Sequence, residues 1–144
     1  MTGSTAPETG ADRLGLRVLD LDECVERLTR TPVGRIAFVS SGDLVVFPVN
    51  HAVDGMSVVF RTRFGSKMEV ATSAGHVAFE VDSYDPAAET GWSVVLKGRA
   101  ELVYDEADTA RYDGLGLRSW ADQEGRGQWV RIRPDEVSGR EIGG

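Results

Sequence analysis

Tight-turn residues divide this chain into short β-rich runs, and that spacing constrains its fold more than any other feature. Residues 35–40 and 44–50 are apolar runs on either side of Ser41-Gly42-Asp43, the residues of a hairpin turn. Asp54-Gly55 is a second turn signal and leads into a strand at 56–61. A strand is expected at 76–83, a loop at 84–90 around Pro86, and a long strand at 91–104. In that long strand Val95, Lys97, Arg99 and Glu101 alternate toward water while Leu96 and Leu102 face the core. Residues 128–133 make the last strand. A helix begins at Asp20 or Asp22, either of which can cap it, and ends near Arg30, ahead of Pro32 and Gly34. Residues 105–119 have helical composition, but Gly114 and Gly116 leave the end of that helix open. Five or six short strands with few helices predict a mainly β (α+β) fold, an antiparallel barrel that closes its edges on itself. Pro48 lacks a ladder N–H, so it marks an edge or a bulge; there it either protects the edge or leaves backbone groups free for a ligand.

At 144 residues the chain suits one domain, read as residues 14–144 behind a flexible tail at 1–13. The tail has no basic-then-apolar run of a secretion signal, and no apolar stretch of about 18 residues exists to span a membrane. A cytoplasmic protein is therefore expected. A net charge of −7 argues against a general nucleic-acid binder. Cys24, the only cysteine, lies at helical spacing and is expected as a small buried residue. The two histidines, His51 and His76, have no clustered carboxylate or cysteine partners, so no metal site is expected. Glu80, Asp82, Asp85 and Glu89 read as a solvated acidic face.

Against this acidic background, residues 61–67 carry Arg61, Arg63 and Lys67 together with Thr62 and Ser66. Only one other lysine, Lys97, occurs in the chain. A basic strand end that runs through Gly65-Ser66 into a short helix at 66–74 is suited to a phosphate. Backbone N–H groups and the helix dipole point at the anion, and Arg61 and Lys67 add charge-assisted hydrogen bonds. From local sequence alone, a solvated basic strand end fits equally well. Arg63 alternates away from Arg61 and is expected to face solvent or a partner subunit.

Phe60-Arg61-Thr62-Arg63-Phe64-Gly65-Ser66-Lys67 resembles the phosphate-binding segment of the pyridoxamine 5′-phosphate oxidase-like family, the FMN-binding split barrels. Further segments fall in the same order: Glu23-Cys24 with Leu28, then Gly34-Arg35-Ile36-Ala37-Phe38-Val39, then Val45 to His51. Val77-Ala78-Phe79-Glu80-Val81-Asp82, Gly91 to Ala100, and Trp129-Val130-Arg131-Ile132-Arg133-Pro134 complete the series, so the similarity spans roughly residues 14–142. The resemblance implies a Greek-key split β-barrel and a homodimer with FMN in the cleft between subunits. It implies that Arg61, Thr62, Ser66 and Lys67 hold the phosphate. Pro48, Val49 and Asn50 then lie along the isoalloxazine ring, and Trp92 and Ser93 approach it from the later strand.

Asn50 can both donate to and accept from a polar ring edge, although a polar residue near a turn needs no ligand. Trp92 equally suits a core position. No catalytic triad or carboxylate pair is visible, which agrees with a flavin doing the redox chemistry itself. The expected function is an FMN-binding oxidoreductase of unidentified substrate. A deazaflavin-dependent reductase on the same fold and a non-catalytic flavin-binding or sensing protein are the alternatives. The family's true pyridoxamine phosphate oxidases carry an Arg-X-His motif near the C-terminus. Here that region reads Arg131-Ile132-Arg133-Pro134, with Pro134 expected to end the strand, so the namesake reaction is not expected.

Overall fold

The computed structural model describes residues 16–63, 75–120 and 127–143. The tail at 1–13, the short helix at 66–74, and Ser66 and Lys67 with it, lie outside the described residues. Within them the order is β1 (Arg17–Val18), α1 (Leu21–Arg30), β2 (Val33–Ser40), β3 (Asp43–Asn50), β4 (Ala52–Asp54), β5 (Ser57–Thr62), β6 (His76–Asp85), β7 (Thr90–Leu102), α2 (Glu106–Asp113) and β8 (Gln128–Ile142). The eight strands form one antiparallel sheet in the order β3-β2-β6-β7-β8-β5-β4, with β1 added alongside β8. The sheet curls into a half-barrel, the split barrel that the sequence resemblance implies.

The local chemistry explains most of these elements. Asp20 caps α1 by accepting the Glu23 N–H at 2.8 Å, while the Glu23 carboxylate accepts the Asp20 N–H at 3.1 Å. Ser41 and Gly42 both adopt positive φ, 50° and 82°, the left-handed pair that a two-residue hairpin between β2 and β3 requires. The interior cluster holds Ile36, Phe38, Phe60, Phe79, Val81, Leu96 and Ile132, and α1 seals one end with Cys24 and Leu28. Cys24 is buried as expected. His51 is buried beside Phe79, with its Nε2 2.8 Å from the Leu28 carbonyl, and burial pushes its pKa down. A second, smaller cluster of Val59, Val103, Tyr112 and Trp129 lies under α2. With Val58 and Phe60 in the first cluster and Val59 in the second, β5 is covered on both faces.

β8 departs from the expected pattern, because it runs through Pro134 to Ile142. The β7–β8 register shifts between Lys97 and Gly98, so Pro134 pairs with Gly98 while Glu136 pairs with Lys97. Asp135 is the extra residue of a bulge, and the missing N–H of Pro134 falls where the ladder is already interrupted. The chains approach so closely there that a Cβ on Gly98 would stand 1.9 Å from the Arg133 carbonyl oxygen. The loop expected at 84–90 is shorter as well, since β6 continues to Asp85 and β7 begins at Thr90.

Candidate functional site

β3 and β5 approach each other where the sheet path opens, and a cavity of about 330 Å3 lies between them. Its floor is the end of β3, Pro48, Val49 and Asn50, with Val33 beside it. The end of β5 supplies Arg61 and Thr62, and the segment after α2 supplies Ser119 and Trp120. β3 is an edge strand, so Pro48 costs no ladder bond there. Ser119 Oγ donates to the Arg61 carbonyl at 3.3 Å, and the Trp120 N–H donates to Asn50 Oδ1 at 2.8 Å. These two bonds fix the 119–120 segment across the opening. Asn50 is buried, and its amino group makes no hydrogen bond within the described residues. Trp120 leaves 65% of its surface exposed, unusual for an indole beside an apolar recess.

Arg61 is the only formally charged side chain among the described residues of this lining. Its guanidinium lies over the Trp129 ring, 4.4 Å from the centroid, because β5 pairs Arg61 with Trp129 on β8. Arg61 Nη2 donates to Asp113 Oδ1, and Trp129 Nε1 donates to the same oxygen at 2.8 Å. Arg61 Nε is buried without a hydrogen-bond partner among the described residues.

Behind this wall a polar network fastens α2 to the sheet. Arg131 donates to Glu101 at 2.6 and 3.0 Å, to Asp108 at 3.1 Å and to the Tyr112 hydroxyl at 3.0 Å. The Tyr112 hydroxyl donates to Asp54 at 2.6 Å, and Arg111 reaches Asp54 at 2.9 Å. Hydrogen bonds from Arg111 and Tyr112 hold the Asp54 carboxyl below its ordinary range. α2 is thereby placed so that its last residue reaches Arg61 and the chain beyond it reaches Asn50.

The cavity brings together Pro48, Val49, Asn50, Arg61 and Thr62 of the residues singled out from the sequence. Ser66 and Lys67 lie outside the described residues. Trp92 and Ser93 are placed elsewhere in the chain, on a recess lined by Tyr84, Arg140 and Ile142. There Arg27 and Arg30 lie over the Trp92 ring at 5.4 and 5.9 Å. Arg63 is exposed. Sequence reasoning missed Val33, Ser119 and Trp120. A tryptophan just beyond a Gly-broken helix was the one available signal for the last two.

It also read Glu80 and Asp82 as simply solvated. In the structure both are half-buried and share Arg35 Nη1, each at 3.2 Å. Burial, then the hydrogen bond and charge of Asp82, push Glu80 up to about 7.

An apolar floor, an exposed indole, one amide with a spare donor and one guanidinium are chemically suited to a planar heteroaromatic group with an anionic arm. Comparisons with known proteins bear on the family and the fold. A family model described as pyridoxamine 5′-phosphate oxidase matches residues 20–141. The uncharacterised protein Rv0080 of Mycobacterium tuberculosis is 37% identical over 129 residues, 86% of this chain and 84% of that protein. The solved FAD binding protein of Mycobacterium smegmatis superposes with a TM-score of 0.74 at 34% identity, covering 88% of this chain and 98% of that one. An FAD-binding protein of Mesorhizobium loti gives a TM-score of 0.73 at 27% identity, covering 88% and 96%.

Proposed function

The chain belongs to the pyridoxamine 5′-phosphate oxidase family, and from that premise we propose that it is a flavin-binding oxidoreductase whose cofactor lies in the cavity between β3 and β5. The observation that carries this is the convergence of Pro48, Val49, Asn50, Arg61 and Thr62 on one recess. The residues fit the group at one atom in particular. Arg61 Nε, buried and unpartnered among the described residues, is a donor that an anionic oxygen would satisfy. When bound, the flavin supplies hydride and electron transfer, and the chain's part is to bind, orient and shield it.

On this reading Arg61 and Thr62 hold the phosphate, with Ser66 and Lys67 contributing from the adjoining segment. Pro48, Val49 and Trp120 exclude water from the ring, and the amino group of Asn50 donates to a ring acceptor. FMN is the first reading of the cofactor. FAD is the second, favoured by the two flavin-named relatives. Both present the same ring and first phosphate to this cavity.

A homodimer belongs to the proposal. The outward face of edge strand β3 exposes Leu44 and Val46, 85% and 63% accessible, beside a cavity that one chain leaves partly open. Trp92 and Ser93 line a separate recess, and on this reading they approach the flavin held by the partner subunit. The substrate is not pyridoxamine phosphate on this reading. Arg131 and Arg133, the cations in place of the substrate motif, are engaged by Glu101 and, for Arg131, by Asp108.

The test is the absorption spectrum of the purified protein with mass analysis of whatever is released on denaturation. A flavin spectrum with FMN or FAD released is expected. A deazaflavin spectrum would move the assignment to the reductase alternative. No chromophore, with no uptake of added flavin, would refute it. Turnover with added electron donors and acceptors then separates an oxidoreductase from a protein that only carries the cofactor.

A further inference from the structure

Arg61 does not face its cavity as a free cation. Its Nη2 is paired with Asp113, whose Oδ1 is fixed in place by the Trp129 indole N–H at 2.8 Å. The Arg61 side chain, stacked on Trp129 and paired with Asp113, is 14% exposed. Asp113 is the last residue of α2, just ahead of the Gly114 cap. A carboxylate there faces the negative end of the helix dipole, an unfavourable placement that helix formation alone would avoid. Its position is explained by what it touches, not by the helix that carries it. Among the described residues, the one cation of the cavity lining is therefore already paired with a countercharge supplied by α2.

Resting on the flavin reading above, we propose that Asp113 is a specificity-determining residue that acts through Arg61 to hold back a phosphomonoester relative to a phosphodiester at this site. A terminal phosphate such as that of FMN carries about −1.5 to −2 charges near neutral pH. Each phosphorus of the pyrophosphate in FAD carries a single ionised oxygen. A fixed carboxylate beside the binding cation repels the first more than the second, and removing its charge favours the first.

The experiment measures dissociation constants of FMN and FAD for the full chain, by flavin fluorescence, in wild type, Asp113→Asn and Asp113→Glu. Asparagine keeps an oxygen for Trp129 Nε1 while removing the charge. Asp113→Asn should tighten FMN by about fivefold and FAD by about twofold or less, and the gap should shrink at high salt. Asp113→Glu should keep the wild-type ratio. Melting temperatures confirm that each variant is folded, and Asp113→Gln carries the same test if the asparagine variant melts early. An unchanged FMN-to-FAD ratio in the charge-free variants, or the same shift in Asp113→Glu, overturns the proposal and leaves Asp113 a packing role. Wild type that binds neither flavin overturns the reading of the cavity itself.

Discussion

Asn50 Oδ1 accepts the backbone N–H of Trp120 at 2.8 Å, joining the end of β3 to a segment 70 residues further along the chain. This bond determines what the cavity presents to a ligand. It takes up the amide oxygen of Asn50, leaves its amino group, and fixes an indole at the opening. Asn50→Ala should therefore lose more than one contact: the donor to the ligand and the anchor of Trp120. We expect flavin affinity to fall by about tenfold or more in Asn50→Ala, more than in Trp120→Ala. Flavin titrations of the two variants check the order.

Trp120→Ala isolates the indole. Because Trp120 is largely exposed, the substitution should leave the melting temperature close to wild type. Flavin binding should weaken by about 0.5–1.5 kcal/mol, the scale of an aromatic stacking contact. Equal losses of stability and affinity would show that Trp120 supports the fold instead of the ligand.

The phosphate contacts separate by ligand. Arg61→Ala and Lys67→Ala should each weaken FMN by about 1.5–3 kcal/mol, with Arg61 toward the lower end because Asp113 already engages it. Riboflavin, lacking the phosphate, should bind wild type weakly and respond little to either change. Equal affinity of wild type for riboflavin and FMN would remove the phosphate from the account.

Glu80 predicts a pH dependence of stability. Burial, reinforced by Asp82, raises its pKa from 4.5 to about 7 in the folded protein. Between those values the folded state holds a proton that the unfolded chain releases. The stabilisation is complete below about pH 4.5 and is lost as pH rises through about 7. Glu80→Gln removes this titration. The melting temperature of the variant relative to wild type should climb from about pH 5 to pH 8, and a flat difference would show that Glu80 is ionised throughout.

The dimer is tested at β3. Val46→Glu places a charge on an exposed apolar face that one chain has no internal use for. Light scattering should give a dimer mass for wild type and a monomer mass, with weakened flavin binding, for the variant. A wild-type monomer that still holds flavin tightly would remove the second subunit from the site.

Turn chemistry and alternation made most of the sheet readable from sequence. Ser41-Gly42 and Asp54-Gly55 end strands for a local reason, and the burial pattern of β7 follows its alternation. β1 was missed because a two-residue strand exists only by pairing with distant β8, and β4 because the three-residue arm of the hairpin at Asp54-Gly55 is too short to show alternation. Pro134 misled for a related reason. Proline ends a regular ladder, but Gly98 on the neighbouring strand allows a bulge that absorbs it, and sequence does not align the two.

The site divides the same way. Pro48 to Asn50 and Arg61-Thr62 were visible as segments. Val33, Ser119 and Trp120, and the pairing of Asp113 with Arg61, arise from elements brought together only by the fold. Arg35 with Glu80 and Asp82 is a cross-strand cluster of the same kind.

The most direct test is a crystal structure of the flavin-loaded protein. The account predicts the ring against Pro48, Val49 and Asn50, with a phosphate oxygen in hydrogen-bond reach of Arg61 and Thr62. A flavin seated only at the recess of Tyr84, Trp92 and Ile142, with the cavity between β3 and β5 holding none of it, would contradict it.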